Sequence, residues 1–196
     1  MTTRDLFSGA TGRTDDAATL VALEVDYTPP AVAVQLLLAL RRDLGDLGIN
    51  LPLRRGLDPA AGSGCWGRAM RAVFGEGLYL VGSEPRASEA ANVSAAYHYP
   101  LPFDYRALVA VAQEDGQRFD IVATNPPFSA FEAGDFWPSA MLGLLHRESV
   151  VAMLGLSSWG QGEAAAATLR SWSPTLQLRL GGRAAFRGSG QTDDII

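Results

Sequence analysis

The sequence predicts an α/β fold in which a mostly parallel sheet is covered by helices on both faces. Short apolar runs that suit buried strands alternate along the chain with segments of helical periodicity. The helical segments are roughly ten to fifteen residues long, which is typical of crossovers between parallel strands. With 196 residues, 47% of them hydrophobic, the chain is long enough for one domain with a normal core.

The elements are predicted in a regular order along the chain. Residues 1–25 show no apolar period, so we expect a flexible N-terminal arm followed by one domain over 26–196. A first helix is predicted to begin with Thr28 as N-cap and Pro29 as first helical residue, and to end near Gly45. The later segments are predicted as a strand ending at 56–58, a helix at 65–74, a strand at 78–84, a helix at 105–115, a strand at 119–124, a helix at 135–146, a strand at 149–156, a helix at 161–171 and a strand at 175–180.

Composition excludes several classes of protein. Cys65 is the single cysteine, which rules out a disulfide framework and a four-cysteine zinc site. His98 and His146 lie far apart, so we predict structural or solvated roles for them and no metal site. The N-terminus is polar and no apolar run approaches the roughly 18 residues of a membrane span, so a cytoplasmic location is expected. A net charge of −5 argues against indiscriminate nucleic-acid binding but leaves room for a local arginine-lined cleft.

The first stretch with chemical meaning is a glycine-rich turn between a strand and a helix, with the sequence Asp58-Pro59-Ala60-Ala61-Gly62-Ser63-Gly64. Glycines let the backbone turn tightly and approach a ligand, and the following helix offers N–H groups to a polar or anionic group. Glu84, at the end of the next strand, could accept hydrogen bonds from both ribose hydroxyls of a nucleoside. Each feature alone also fits an ordinary turn or a solvated acid; together they favour a nucleoside-containing cofactor.

The second stretch, Asn125-Pro126-Pro127-Phe128, directly follows a strand. Two consecutive prolines stop the strand and fix two φ angles, and a residue before proline is held in extended geometry. The resulting rigid loop presents an amide oxygen and a proline carbonyl beside an aromatic ring, which suits a planar amine. A strand-terminating turn with a core phenylalanine is the alternative, and the glycine turn upstream favours the ligand-binding interpretation.

With both stretches in this order, the sequence resembles the class I S-adenosylmethionine-dependent methyltransferases over roughly residues 26–187. Within them it is most similar to amino-methylating DNA enzymes of small phage and prophage type, which modify adenine N6. The resemblance implies a Rossmann-like sheet and S-adenosyl-L-methionine as the cofactor. The cofactor-binding residues that it implies are Tyr27, Thr28, Asp58, Pro59, Ala60, Gly62, Gly64 and Glu84, with Asp104 as a candidate for the adenine amine of the cofactor.

The resemblance also implies a mechanism, in which the target base is rotated out of the DNA stack into the site. Asn125 and the Pro126 carbonyl would accept hydrogen bonds from the exocyclic amine, and Phe128 would stack on the base; together with Pro127 they form the implied catalytic loop. Positioning and electrostatics would supply most of the catalysis, without a metal. Candidate substrate contacts are Ser129 and a late loop with Arg183, Phe186 and Arg187, for which a core or exposed-loop role is equally open.

Two departures from the family matter. The family usually continues after a Thr-Asp pair like Thr192-Asp193 into an aromatic-rich strand, whereas this chain ends at Ile196. The final strand is therefore expected to be truncated or missing, and a protein partner or a second copy of the chain could cover the sheet edge. The short distance from Phe128 to the late loop leaves no room for a separate target-recognition domain.

The leading hypothesis is therefore methyl transfer to adenine N6 in DNA. A second hypothesis keeps the chemistry and changes the substrate to RNA adenine, cytosine N4 or a protein glutamine amide. A third is a catalytically silent subunit that binds cofactor or a partner. A nicotinamide dehydrogenase is disfavoured because the glycine turn lacks the GxGxxG spacing.

Overall fold

Five parallel strands form the sheet in the computed structural model of the chain, which describes residues 27–127 and 137–155. The strands are β1 (Arg55–Asp58), β2 (Tyr79–Ser83), β3 (Tyr99–Leu101), β4 (Phe119–Thr124) and β5 (Leu145–Met153). Their order across the sheet is β3-β2-β1-β4-β5. The chain moves outward from β1 to β3 and then crosses back to β4, so β1 and β4 are neighbours at the point where the order reverses. In open parallel sheets, ligands bind at the carboxyl ends of the strands at such a point.

Helices pack on both faces of this sheet. They are α1 (Pro30–Asp46), α2 (Cys65–Phe74), α3 (Ala90–Ala96), α4 (Tyr105–Glu114) and α5 (Trp137–Leu142), with a 3₁₀ turn at Ala87–Glu89. Consecutive residues of β4 enter two different hydrophobic clusters: Ile121 packs with α1, α2 and α3, and Val122 packs with α4 and α5. Side chains alternate between the faces of a strand, so the two clusters are the two covered faces. The predicted α/β fold is confirmed.

The start of α1 differs from the prediction. Pro29, and not Thr28, is the N-cap, and its carbonyl accepts from the N–H of Val32 at 2.9 Å. The hydroxyl of Thr28 is buried and accepts instead from the indole N–H of Trp66 at 3.2 Å. Thr28 therefore ties the segment before α1 to the core, while Pro30 takes the first helical position, where a missing N–H costs nothing.

The boundary between α5 and β5 also differs, since the predicted helix at 135–146 ends at Leu142 and β5 begins at Leu145. Residues 146–148 are polar and exposed, so the hydrophobicity pattern does not show that the strand has already begun. Backbone pairing sets the residue at which β5 begins, because Phe119 is in register with Leu145 and donates to the Leu144 carbonyl at 2.9 Å. The predicted elements at 161–171 and 175–180 lie outside the described residues.

Within the described residues, no helix is both long enough and apolar enough to span a membrane.

Candidate functional site

The two stretches singled out by the sequence meet at the carboxyl ends of β1 and β4. These strands pair in parallel, with Leu57 in register with Val122. Asp58 ends β1 and begins the glycine turn, while Thr124 ends β4 and immediately precedes Asn125. The Thr124 hydroxyl donates to Asp58 Oδ1 at 2.8 Å, so a direct side-chain bond joins the two stretches.

The glycine turn requires glycine at two positions. Gly62 and Gly64 have φ angles of +51° and +78°, in the left-handed region that L side chains rarely adopt. A Cβ on Gly64 would lie 2.6 Å from the Cβ of Ala96 and 3.0 Å from the Asn92 carbonyl oxygen. Gly64, the N-cap of α2, is therefore fixed by both its backbone conformation and the close approach of α3.

Four backbone N–H groups of the turn are used to build it. Ala60 donates to Asp58 Oδ1 at 3.2 Å, and Gly62 donates to Glu84 Oε2 at 2.9 Å. Ala61 donates to the Ser83 carbonyl at 2.9 Å, and Gly64 donates to the Ala61 carbonyl at 2.7 Å. The N–H groups that the sequence predicted to face a ligand belong to the following helix, whereas these four belong to the turn and point to acceptors of the protein. The turn is thus held in shape from within.

Asp58 lies beneath the turn as its anchor. Its side chain is fully buried and accepts from three groups, namely the Ala60 N–H, the Thr124 hydroxyl and the Tyr97 hydroxyl. Burial raises the pKa of Asp58 to about 6, against the opposing effect of the hydrogen bonds from Tyr97 and Thr124. Three neutral donors therefore hold the Asp58 side chain, and these bonds fix the shape of the turn.

Tyr97 is a residue of this site that the sequence analysis missed. Its hydroxyl donates to Asp58 Oδ2 and accepts from the Gly67 N–H at 3.0 Å. Its ring lies against Gly67 and Gly82, where a Cβ would come within 2.6 Å and 2.4 Å of ring carbons. Burial raises the pKa of Tyr97 well above its ordinary value, which keeps it a donor to Asp58. Glycines inside a predicted helix and a predicted strand were the available signal for this close approach.

Glu84 follows β2 and is the second acid at this edge of the sheet. Its side chain is 5% exposed and is held by the Arg86 guanidinium, which donates from Nε to Oε1 at 2.6 Å and from Nη2 to Oε2 at 2.9 Å. The backbone N–H of Arg86 adds a third bond, to Oε1, at 3.0 Å. The hydrogen bond to Glu84 is the largest cause of a raised pKa of Arg86. Arg86 is a second residue that the sequence analysis missed.

Tyr27 covers the turn from the side of α1. Its ring lies 3.7 Å from the position that a Cβ of Gly62 would occupy. The Arg86 guanidinium carbon lies 5.6 Å from the centroid of the same ring, and the Tyr27 hydroxyl donates to Glu89. Burial raises the pKa of Tyr27. The structure thus brings the predicted residues Tyr27, Gly62 and Glu84 together.

Asp104 has an evident structural role. It is the N-cap of α4 and accepts from the Ala107 N–H at 2.8 Å. The Ser83 hydroxyl donates to the Phe103 carbonyl at 2.7 Å, which places the residue before Asp104 beside the residue before Glu84. The proposed contact of Asp104 with an adenine amine stays a prediction.

The loop after β4 begins with a half-buried Asn125, a buried Pro126 and a half-buried Pro127. The Leu154 N–H donates to the Thr124 carbonyl at 3.1 Å and so fixes the strand end from which the loop leaves. Prolines have no N–H, so the main chain at these two positions can only accept hydrogen bonds. The remaining predicted contacts, Phe128, Ser129, Arg183, Phe186 and Arg187, lie outside the described residues.

His98 has a structural role, one of the two roles that the sequence left open. Its Nδ1 accepts from the Leu80 N–H at 3.0 Å, and its ring stacks on Tyr79. Partial burial lowers the pKa of His98, in keeping with a neutral ring that accepts from the backbone. His146 is exposed on β5. Among the described residues, no group of three or more His, Cys, Asp or Glu could hold a metal ion.

No protein-family model matches the sequence, and no curated protein matches it. Solved structures match it in fold. A hypothetical protein from Thermus thermophilus superposes with a TM-score of 0.53 at 18% identity, over 81% of this chain and 86% of that one. A putative S-adenosylmethionine-dependent methyltransferase from Streptococcus mutans gives 0.52 at 13% identity, over 72% and 40% of the two chains.

The plantazolicin methyltransferase BpumL, solved in complex with S-adenosylhomocysteine, gives a TM-score of 0.51 at 13% identity, over 74% of this chain and 52% of that one. The chain thus spans about half the length of these two methyltransferases, or less. At such identities the likeness establishes the architecture, which is a Rossmann-like parallel sheet with helices on both faces.

Proposed function

We propose that this chain is an S-adenosylmethionine-dependent methyltransferase that methylates the exocyclic N6 amine of adenine in DNA. The observation that carries the proposal is the bond from Thr124 to Asp58, which joins a nucleoside-type glycine turn to an Asn-Pro-Pro loop. A methyl donor bound at the turn and an amine held by the loop would then lie next to each other. Such proximity is the main requirement of a direct transfer.

The cofactor half of the proposal rests on the turn and the acid after β2. Glu84 stands where a carboxylate can accept from ribose hydroxyls, and Tyr27 covers the turn at Gly62. Two of the structures that share this fold are described as an S-adenosylmethionine-dependent enzyme and as a complex with S-adenosylhomocysteine. The residues present therefore fit S-adenosylmethionine, with Tyr27, Gly62, Gly64 and Glu84 as its binding residues.

The acceptor half rests on the chemistry of the loop after β4. Because Pro126 and Pro127 lack N–H groups, their main chain presents acceptors only, and an amine needs acceptors. We assign Asn125 and the Pro126 carbonyl to the exocyclic amine, whose two hydrogens they would share. Hydrogen bonds to both hydrogens direct the nitrogen lone pair outward, toward the methyl donor.

The cofactor, when bound, supplies an electrophilic methyl group on a positively charged sulfur. One N–C bond forms while one S–C bond breaks, and the amine then loses one proton to water. Asn125 holds the amine in line and stabilises the positive charge that develops on it, while Asp58 and Thr124 keep the two loops at a fixed distance. An aromatic ring at Phe128 would stack on the flipped base.

The test is nucleoside mass spectrometry after incubation of purified protein with unmethylated DNA and methyl-deuterated S-adenosylmethionine. Labelled N6-methyladenine is the expected product, and the Asn125→Ala protein is the matched inactive control. Labelled N4-methylcytosine would overturn the choice of base while keeping the chemistry. Label that appears only with RNA or with a glutamine-containing protein as substrate would overturn the choice of DNA. No label on any of them, from protein shown to be folded, would contradict the enzyme assignment.

A further inference from the structure

The Glu84 carboxylate has no acceptor position left for a ligand. A carboxylate offers about four lone-pair positions on its two oxygens. In this structure four N–H groups of the protein occupy them: Arg86 N and Nε on Oε1, and Gly62 N and Arg86 Nη2 on Oε2. The donor–acceptor distances run from 2.6 to 3.0 Å. The acid expected to bind ribose is thus saturated from within the chain.

The four donors fall into two classes. The N–H groups of Gly62 and Arg86 belong to the backbone and are fixed by the turn and by the chain after β2. The other two, Nε–H and Nη2–H, belong to the Arg86 side chain, which rotamer changes can move. Each of these two groups donates to a different carboxylate oxygen, as the two neighbouring hydroxyls of a ribose would. The guanidinium has the hydrogen-bonding pattern of the 2′,3′-diol.

We propose that the Arg86 side chain occupies the ribose subsite of the ligand-free protein and that a nucleoside ligand binds by displacing it from Glu84. This inference rests on the proposed function, because it presumes that Glu84 is the ribose-binding acid. Arg86 is then an affinity-determining residue of the cofactor site.

The surroundings give the displaced guanidinium a place to go. Its carbon already lies 5.6 Å from the centroid of the Tyr27 ring, and Nη1 reaches the Tyr27 hydroxyl at 3.4 Å. That hydroxyl donates to Glu89, so a second carboxylate lies beside the Tyr27 hydroxyl. A rotation away from Glu84 therefore keeps the cation over an aromatic face and near an acid. No buried charge is left without a partner when ribose hydroxyls replace the guanidinium on Glu84.

Displacement has a cost that lowers affinity. When the binding-competent conformation is only fractionally populated, the apparent dissociation constant rises by the inverse of that fraction. The same competition makes the site selective, since a ligand with two ribose hydroxyls restores both bonds to Glu84. A deoxyribose restores only one of them.

Calorimetric titration with S-adenosylhomocysteine tests the proposal on the full chain. Arg86→Met, which keeps the aliphatic stem, is expected to tighten binding about 10-fold, as a competent fraction near one tenth predicts. Arg42→Met is the matched control, since Arg42 is exposed and pairs with its neighbour Asp43; its affinity should stay within about twofold of the unmutated chain. In a Glu84→Ala background, Arg86→Met should have no effect. Equal or weaker binding by Arg86→Met would overturn the proposal.

A spectroscopic readout keeps the proposal testable if Arg86→Met does not fold. The Nε–H resonance of Arg86, assigned by its loss in Arg86→Lys, should be protected from solvent exchange in the ligand-free protein. Saturating S-adenosylhomocysteine should remove that protection, and a resonance that stays protected would contradict displacement. If neither the unmutated chain nor the Arg86 variants bind the ligand, the proposed function itself fails, which differs from equal binding by both.

Discussion

The glycine turn after β1 and the proline loop after β4 follow adjacent strands and differ in the hydrogen-bonding groups that their backbones carry. The turn is rich in backbone donors, and four of its N–H groups are satisfied by acceptors of the protein. The loop has no backbone donor at Pro126 or Pro127 and can offer only acceptors there. Under the proposed function, a ligand at the turn would exchange bonds with the protein, whereas an amine at the loop would meet a main chain that offers only acceptors at the two prolines.

The contrast extends to the two carboxylates of the turn. Asp58 is fully buried and is held by hydroxyls and one N–H, none of them charged. Glu84, 8% exposed, is held by a guanidinium. The buried acid with neutral partners anchors the backbone, and the acid with a movable charged partner is suited to exchange. Both acids are buried, so under the proposed function it is the chemistry of their partners that separates the anchor from the ribose-binding group.

The largest expected effect separates the two regions by function. Asn125→Ala should lower methyl transfer by about 1,000-fold, because the amine loses a preorganised partner in the transition state. The affinity for S-adenosylhomocysteine should stay within about twofold, since the turn is untouched. Single-turnover transfer and calorimetry measure the two quantities, with the exposed Asn50→Ala as control. Full transfer by Asn125→Ala would remove the loop from the mechanism.

The next effect concerns the stability of the turn. Gly64→Ala should cost about 3 kcal/mol of unfolding free energy, since a left-handed residue with a Cβ costs about 1–2 and the contact with Ala96 adds overpacking. Gly48→Ala is the matched control, because Gly48 has a φ of +71° and nothing within 4 Å of its would-be Cβ. It should cost only about 1 kcal/mol in denaturant unfolding. Equal losses would mean that the approach of α3 does not constrain the turn.

A pH series tests the anchor. The pKa of Asp58 is raised from 3.8 to about 6, so its stabilising contribution is fully present below about pH 4 and is lost as pH rises through 6. Relative to Asp58→Asn, the unmutated chain should therefore lose about 2 kcal/mol of unfolding free energy between pH 4 and pH 7.5. The amide keeps an oxygen for Ala60 and Thr124 and adds an N–H for the Tyr97 hydroxyl. Parallel profiles for the two proteins would show that Asp58 titrates normally.

The smallest expected effect is at the bond that joins the two regions. Thr124→Val keeps the shape of the side chain and removes its donor to Asp58, which should cost about 1 kcal/mol of unfolding free energy. Thr124→Ser should restore it. Transfer at saturating cofactor should fall in the valine variant and recover in the serine variant, because the bond holds the loops together. A valine variant with unchanged turnover would show that β1–β4 pairing alone sets their distance.

Much of this protein could be predicted from local sequence. The helix at Cys65–Phe74 and the strand at Phe119–Thr124 have the bounds that the hydrophobic pattern gave. The order of turn and loop, each after a buried strand, placed both at one edge of a parallel sheet in advance of the structure. The sequence did not predict two short elements, since α3 buries only Val93 and Ala96 and β3 has three residues, which is too little for a recognisable hydrophobic pattern.

Tertiary structure decided which polar groups are partners. Tyr97 and Arg86 belong to no sequence motif. Tyr97 has its role because its hydroxyl bonds to Asp58, and Arg86 has its role because its guanidinium lies over the Tyr27 ring. Local sequence sets backbone geometry, because glycine and proline act on their own φ angles. The donors that saturate Glu84 and the groups that bury Asp58 are brought together by folding. The acceptor positions left on Glu84 and the pKa of Asp58 therefore depend on tertiary structure.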